Sequence, residues 1–80
     1  MFNYETKTIN GVNVTLFAVN VVTRTAVYFA RGPLHDYYIY RRSERRFDVE
    51  SYDNDWIDEA STMEEACQII IETEEGRVPW

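Results

Sequence analysis

The sequence predicts an α+β fold, in which an antiparallel β-sheet of hairpins, about five strands in all, packs one face against a C-terminal amphipathic helix. Short β-rich segments alternate with turn residues as far as Ala60, which is typical of antiparallel sheets. Helical spacing of apolar residues occurs after that point, between Ser61 and Gly76. Because a chain of 80 residues supports one hydrophobic core, we expect a single domain spanning 1–80.

The first hairpin is predicted around Asn10-Gly11, since both positions of a tight two-residue turn need a positive φ. This turn pairs Ile9 with Val12 and Lys7 with Val14. The more aliphatic face, which we expect to face the core, carries Ile9, Val12, Val14, Leu16 and Ala18. The opposite face carries Phe2, Tyr4, Phe17 and Val19.

A turn or irregular extension is predicted over 20–24, and a third strand over 25–31. Gly32-Pro33 ends that strand, because proline has no N–H to donate to a neighbouring strand. We expect a fourth strand after a loop that contains His35.

A second hairpin is predicted from the segments 37–42 and 47–52, joined by a four-residue loop. In this register Arg41 faces Asp48, and Tyr40 faces Val49. The core face would then carry Tyr38, Tyr40, Phe47 and Val49, and the solvent face would carry Arg41, Asp48 and Glu50.

The last strand is predicted over 55–60, with Trp56 and Asp58 on one face. A helix follows, for which Ser61 is a good N-cap and Glu64 completes a capping box. The buried stripe of this helix would consist of Met63, Ala66, Cys67, Ile70 and Ile71. Gly76 is a natural stop, and the tail 77–80 is predicted to be extended. One helix covers only part of a sheet, so much of the opposite sheet face should contact solvent or a partner.

Charge is distributed unevenly along the chain. Residues 1–46 carry a net charge of +4 and residues 47–80 a net charge of −10, which gives −6 for the whole protein. Strand pairing can neutralise only some of these charges within the chain. The acidic surplus therefore indicates a basic partner, although ordinary solubility also explains a net charge of this size.

Basic and aromatic residues lie together just before the acidic half. Arg41, Arg42, Arg45 and Arg46 follow Tyr37, Tyr38 and Tyr40. Arginine and tyrosine on a sheet are typical of single-strand nucleic-acid binding. The flanking acids would repel phosphates, so direct nucleic-acid binding is the alternative hypothesis; local pairing of the arginines with neighbouring acids is the simpler one.

Catalysis and metal binding find little support in the sequence, which we interpret as that of a protein that is not an enzyme and has no cofactor. His35, the only histidine, lies in a predicted loop, and Cys67 lies on the apolar stripe of the helix, where cysteine is usually core filler. Asp53, Asn54, Asp55 and Asp58 lack the glycine of an EF-hand calcium loop. No stretch approaches the length of a membrane span, and the N-terminus lacks the pattern of a secretory signal. We therefore expect a cytoplasmic protein without a disulfide.

Small size, acidic balance, high aromatic content and the lack of catalytic residues make the chain similar to phage-encoded inhibitors of bacterial defence, of the anti-CRISPR or anti-restriction type. The resemblance is one of general character over the whole chain and includes no motif. It implies a protein in the host cytoplasm that binds a host nuclease complex, often at its nucleic-acid-binding surface, and blocks it.

These observations lead to one main prediction, namely a binding protein that docks on a larger basic protein or nucleoprotein complex. The residues predicted to contact the partner are Asp48, Glu50, Asp53, Asp55, Asp58 and Glu59. The arginines Arg41, Arg42, Arg45 and Arg46 would form the neighbouring rim. The aromatic anchors would be Tyr37, Tyr52 and Trp56, provided that they face outward. A homodimer formed through an exposed edge strand is a further alternative.

Overall fold

The structure is a computed structural model, which describes residues 5–77 of the chain. Six strands form one sheet in sequence order, and each pairs antiparallel with the next. The strands are β1 (Thr6–Ile9), β2 (Val12–Asn20), β3 (Thr25–Arg31), β4 (Asp36–Ser43), β5 (Arg46–Ser51) and β6 (Trp56–Ala60). Helix α1 (Met63–Glu72) follows and continues into a π-helical turn, Thr73–Arg77. The α+β prediction is confirmed, and the sheet has one strand more than expected.

The first hairpin forms at the predicted turn. Asn10 and Gly11 adopt φ angles of 53° and 83°, and Ile9 pairs with Val12. The register between β2 and β3 shifts at Phe17, because Leu16 pairs with Tyr28 but Ala18 pairs with Val27. This β-bulge turns Ala18 to the face opposite the helix, so the prediction that Ala18 faces the core was wrong. Leu16 is also more exposed than expected, and the predictions for Phe2 and Tyr4 fall outside the described residues.

The register of the second hairpin differs by one residue from the prediction. Ser43 pairs with Arg46, so the turn has two residues rather than four, and the register shifts at Arg42. Ile39 therefore pairs with Val49, and Tyr40 pairs with Asp48. A slip of one residue moves a whole strand to the other face. The predicted core positions of Tyr38 and Tyr40 were wrong for this reason, whereas Phe47 and Val49 are buried as expected.

A further bulge lies in β6. Glu50 pairs with Trp56, whereas Val49 pairs with Asp58, which leaves Ile57 as the extra residue. Because Glu50 and Val49 lie on opposite faces of β5, Trp56 and Asp58 also lie on opposite faces, and the prediction that they share one was wrong. Ser51 holds the preceding turn, since its Oγ accepts a hydrogen bond from the amide of Asp55 at 3.1 Å.

Helix α1 begins one residue later than predicted. Thr62 is the N-cap, and its Oγ1 accepts a hydrogen bond from the amide of Glu65 at 3.1 Å. Glu65 in turn accepts from the amide of Ser61 at 3.2 Å, so Thr62 and Glu65 take the roles assigned to Ser61 and Glu64. Gly76 adopts a φ of 107° at the end of the helical segment, as expected of a stop.

The core lies between helix α1 and one face of the sheet, called here the helix face. The helix contributes Ala66, Cys67, Ile69 and Ile70. The sheet contributes Val12, Val14, Ala30, Tyr37, Ile39, Phe47, Val49 and Ala60. Full burial of a large aliphatic side chain stabilises a fold by about 1.5–3 kcal/mol, so this layer supplies most of the stability. The opposite sheet face has no helix over it within residues 5–77.

Candidate functional site

Aromatic side chains gather on the sheet face that the helix leaves open. We call this the aromatic face and define it by Phe17, Phe29, Tyr38, Tyr40, Tyr52 and Trp56. Strand register places Tyr38 beside Phe29 on one side and Glu50 on the other, and Trp56 lies beyond Glu50. The aromatic face therefore arises because side chains alternate between the two sheet faces along β3, β4 and β5, and because the bulges in β2 and β6 change that alternation.

Tyr38 is the centre of this cluster. Its ring stacks on that of Tyr52, with centroids 5.9 Å apart and an interplanar angle of 18°. Phe17 and Phe29 meet it edge-on, with centroid distances of 6.3 and 5.8 Å. Such arrangements are favourable for aromatic pairs. The rings therefore support one another and present a preorganised surface.

Much of this surface is accessible to solvent. Phe17, Tyr52 and Trp56 are 60%, 58% and 57% exposed. A shallow hollow of about 440 Å³ lies beside Tyr52 and Phe17 and includes the carboxamide residue Asn54, which accepts a hydrogen bond from Tyr40 Oη at 3.4 Å. Large exposed aromatic residues in one patch are typical of interaction surfaces.

Asp48 lies next to the aromatic rings and is neutralised within the chain. Arg42 Nε lies 2.7 Å from its Oδ2, and Arg46 Nε lies 3.2 Å from its Oδ1. The two arginine side chains cover the carboxylate, which is buried although it lies on the open face. The guanidinium of Arg42 also lies over the Tyr40 ring, 5.1 Å from its centroid. Asp48 is therefore part of a closed ion-pair group rather than a free acidic contact.

Glu50 differs from Asp48 although it is only two residues away on the same face. It pairs with Tyr38 across β4 and with Trp56 across β6, and it is half-buried. No hydrogen bond or ion pair joins its carboxylate to another residue in the described range 5–77. Burial, followed by the charge of Glu50, raises the pKa of Tyr40 above its usual value of 10.0. Glu50 therefore supplies an unneutralised negative charge within the aromatic face, between Tyr38 and Trp56.

The other predicted acidic contacts lie in three different places. Asp53 and Asp55 are exposed in the turn before β6. Glu59 pairs with Asp48 on the face opposite the helix, and its carboxylate lies 3.7 Å from Arg46. Asp58 pairs with Val49 and so projects toward the helix face. The structure thus places Glu50 and Glu59 on one face, with Glu50 next to the turn, and separates Asp58 from them.

The predicted arginine rim is divided between the two faces. Arg42 and Arg46 lie beside the aromatic face, where they hold Asp48. Arg41 lies over the ring of Phe47 at 5.5 Å, on the helix face. Arg45 is exposed in the turn between β4 and β5. Only two of the four arginines therefore border the aromatic face.

The three predicted aromatic anchors have different environments. Tyr37 is fully buried, and its Oη donates a hydrogen bond to Glu74 at 3.1 Å, so it does not meet the condition of facing outward. Tyr52 and Trp56 do meet it. Tyr38 and Tyr40, which we expected in the core, join them on the open face. Alternation alone could not assign these tyrosines, because β4 carries aromatic residues on both faces.

A second and larger groove, of about 1110 Å³, lies on the helix face beside the N-terminus of α1. Its floor is apolar and includes Ile9, Leu16, Tyr28, Phe47 and Met63. Its rim carries charges of both signs, namely Glu5, Lys7, Arg41, Glu44 and Glu64. This mixed rim favours no class of charged ligand.

Cys67 and His35, the candidate catalytic residues, lie apart from the aromatic face. Cys67 is fully buried in the core, where burial, with a smaller contribution from Glu64, raises the pKa of its thiol to about 11. His35 is exposed in the loop before β4, and its amide donates a hydrogen bond to Glu74 at 2.8 Å. Within residues 5–77, no three His, Cys, Asp or Glu side chains are grouped so that they could hold a metal ion. None of the helices in that range is long and apolar enough to cross a membrane.

Comparison with protein-family models, curated proteins and solved structures finds no match to this chain. The aromatic face and its charges are therefore the observations from which a function can be inferred.

Proposed function

We propose that the protein is a non-enzymatic binding protein that docks on a larger, basic protein or nucleoprotein complex through its aromatic face and blocks it. The observation that carries the proposal is the exposure of Phe17, Tyr52 and Trp56 beside the unneutralised carboxylate of Glu50. Aromatic residues at the centre of a patch contribute most of the affinity at protein interfaces, and charges at the rim set the association rate.

Local charge supports a basic partner. Four carboxylates lie on this sheet face, those of Asp36, Asp48, Glu50 and Glu59, and within residues 5–77 three arginines on it oppose them, namely Arg31, Arg42 and Arg46. Asp53 and Asp55 add negative charge at the adjoining turn. The net charge of −6 for the chain has the same sign, so long-range attraction would also favour a cationic surface.

Affinity capture from a bacterial lysate, performed at low and at high salt, tests this function. We expect the wild-type protein to retain a partner at low salt and to lose part of it at high salt, because exposed charges are screened. A variant with Tyr52→Ala and Trp56→Ala should lose the partner. A variant with Glu64→Gln and Glu75→Gln, on the helix side, should retain it. Capture that does not distinguish the two variants would contradict the proposal.

Single-stranded nucleic-acid binding is the second candidate, and one observation favours it. Tyr38 and Tyr40 lie on the open face with Arg42 beside them, which is the arrangement used for base stacking. Arg42 and Arg46 are already paired with Asp48, however, and Glu50 would repel phosphates. Titration of tryptophan fluorescence with single-stranded DNA and RNA separates the candidates. Tight, salt-sensitive binding would favour the nucleic-acid function. No change in fluorescence at micromolar protein would exclude that function.

The kind of partner is suggested only by the resemblance to phage-encoded inhibitors of bacterial defence. If the protein is an inhibitor of the anti-CRISPR or anti-restriction type, the partner is a host nuclease complex in the cytoplasm. Adding purified protein to nuclease assays on a panel of such complexes tests this, and stoichiometric inhibition of one of them is the expected result. Light scattering over a range of concentrations tests the remaining possibility, which is a homodimer formed through an edge strand.

A further inference from the structure

We propose that Glu50 and the rings around it form a seat for one arginine side chain of the partner. The seat consists of the Glu50 carboxylate with Tyr38, Tyr52 and Trp56. This inference rests on the proposed function and names the chemical group that the aromatic face recognises.

The chain itself shows how this face holds a guanidinium group. Arg42 donates a hydrogen bond to Asp48 at 2.7 Å and at the same time lies over the Tyr40 ring, 5.1 Å from its centroid. Tyr40 and Asp48 are a cross-strand pair of β4 and β5. One carboxylate and one tyrosine, paired across two strands, therefore contact the same arginine on this sheet.

The next pair along the same strands repeats this arrangement. Tyr38 pairs with Glu50, so it is related to the pair Tyr40 and Asp48 by a shift of two residues along each strand, on the same face. Asp48 has two guanidinium partners, whereas Glu50 has none within residues 5–77. A tyrosine and an acid that face each other across two strands therefore occur a second time, at Tyr38 and Glu50. No arginine within residues 5–77 pairs with this second acid.

Aromatic rings border the Glu50 position on two sides. Tyr52 stacks on Tyr38 at 5.9 Å, and Trp56 is the cross-strand partner of Glu50 on β6. A cation that reaches Glu50 would therefore lie beside aromatic rings, whose faces attract cations, and tryptophan is the strongest acceptor of this kind. Arginine suits the position beside Glu50 better than lysine does, because its planar guanidinium can stack on a ring and donate to a carboxylate at the same time.

Half-burial of Glu50 makes the seat selective for a charged group. Glu50 is partly covered by its neighbours, so an incoming cation would meet its charge in a less hydrated setting than at a fully exposed acid. A neutral or anionic group would leave the charge uncompensated. The same feature makes phosphate an unsuitable occupant, which separates this seat from a nucleic-acid site.

The experiment is an NMR titration of ¹⁵N-labelled protein with N-acetylarginine amide, repeated with N-acetyllysine amide. We expect saturable shifts at the amides of Tyr38, Glu50 and Tyr52 and at the Trp56 indole, at millimolar concentrations, with the arginine derivative binding more tightly. Glu50→Gln should weaken binding about tenfold, which corresponds to about 1.4 kcal/mol. Glu75→Gln, the same change of charge on the other side of the molecule, should leave it unchanged. Thermal unfolding checks that both variants fold.

Three results would overturn the inference: no saturable shifts, equal effects of Glu50→Gln and Glu75→Gln, or equal binding of the two derivatives. A Tyr52→Leu variant provides a second check, since it removes the stacked ring but keeps the charge, and it should weaken the arginine derivative more than the lysine derivative. If the seat fails while Tyr52→Ala with Trp56→Ala still abolishes partner capture, the docking function stands and only the arginine seat is wrong. If capture is also insensitive to that double substitution, both are wrong.

Discussion

Arg42 Nε lies 2.7 Å from Asp48 Oδ2, on a sheet face that no helix of the described chain covers. Asp48 is nevertheless buried, because Arg42 and Arg46 lie across it. A group of this kind fixes the positions of charges on the open face and keeps Tyr40 in place beside them. The abrupt change of charge sign between β4 and β5 is therefore partly structural.

Replacement of Asp48 by asparagine should destabilise the protein by about 1–3 kcal/mol, because the charge that pairs with Arg42 and Arg46 is lost and the neutral amide keeps only one acceptor oxygen. Urea unfolding monitored by circular dichroism measures the loss. Asp53→Asn is the matched control, since Asp53 is exposed in a turn, and it should change stability by less than about 0.5 kcal/mol. If the two substitutions lowered the free energy of unfolding equally, the ion pairs of Asp48 would make no specific contribution to stability.

Glu74→Gln should destabilise the connection between β3 and β4. The carboxylate of Glu74 accepts hydrogen bonds from the amides of Leu34 and His35 at 3.0 and 2.8 Å and from Tyr37 Oη at 3.1 Å. A neutral amide has one acceptor oxygen, so we expect a loss of about 1–3 kcal/mol in chemical unfolding. Glu75→Gln, at the exposed neighbouring position, should have little effect. Faster hydrogen exchange at the His35 amide should accompany the loss in Glu74→Gln, and unchanged exchange would contradict the prediction.

Alkaline pH should reduce the stability through Cys67. Burial, with a smaller contribution from Glu64, raises the pKa of its thiol from 9.0 to about 11. Below pH 9 both the folded and the unfolded protein keep the thiol protonated, so its contribution is fully present. As the pH rises from 9 toward 11, the unfolded state loses the proton first, and the free energy of unfolding falls. Cys67→Ala should show a shallower decline over this range, although Tyr40, whose pKa is also raised, still adds a loss of the same sign.

Thiol reactivity provides a separate measurement of the same environment. The native protein should react with a disulfide reagent at pH 8 far more slowly than the urea-unfolded protein, because the reactive species is the thiolate and Cys67 is buried. Equal rates in the two states would contradict the burial of this side chain.

Substitutions on the two sheet faces should differ in their effects on stability. Ile39→Ala, on the helix face, should cost about 2–5 kcal/mol, because Ile39 is fully buried and its removal leaves a cavity. Trp56→Ala, on the aromatic face, should cost less than about 1 kcal/mol, since Trp56 is 57% exposed on an edge strand. Thermal unfolding compares the two. A larger loss for Trp56→Ala would mean that the aromatic face is structural rather than available to a partner.

The sequence predicted the first hairpin and the helix but not the faces of the sheet. Asn10-Gly11 determines the first hairpin through local backbone geometry, and the spacing of Ala66, Cys67 and Ile70 determines the helix, so both were predicted correctly. The bulges at Phe17, Arg42 and Ile57 depend on contacts between strands and leave no pattern in the alternation. The Arg42 bulge alone moved Tyr38 and Tyr40 from the predicted core to the open face. Of the residues that form the candidate site, Glu50, Tyr52 and Trp56 were predicted as partner contacts, whereas Tyr38 was expected in the core and was named only for the nucleic-acid alternative.

The central claim is that the aromatic face contacts the partner, and chemical-shift mapping of the complex tests it most directly. The partner retained in affinity capture is added to ¹⁵N-labelled protein, and the amide shifts are mapped on the fold. We predict that the largest changes fall at Tyr38, Glu50, Tyr52 and Trp56. Changes concentrated instead on Ala66, Ile69 and Ile70 or along the helix-face groove, with the aromatic face unperturbed, would contradict the account.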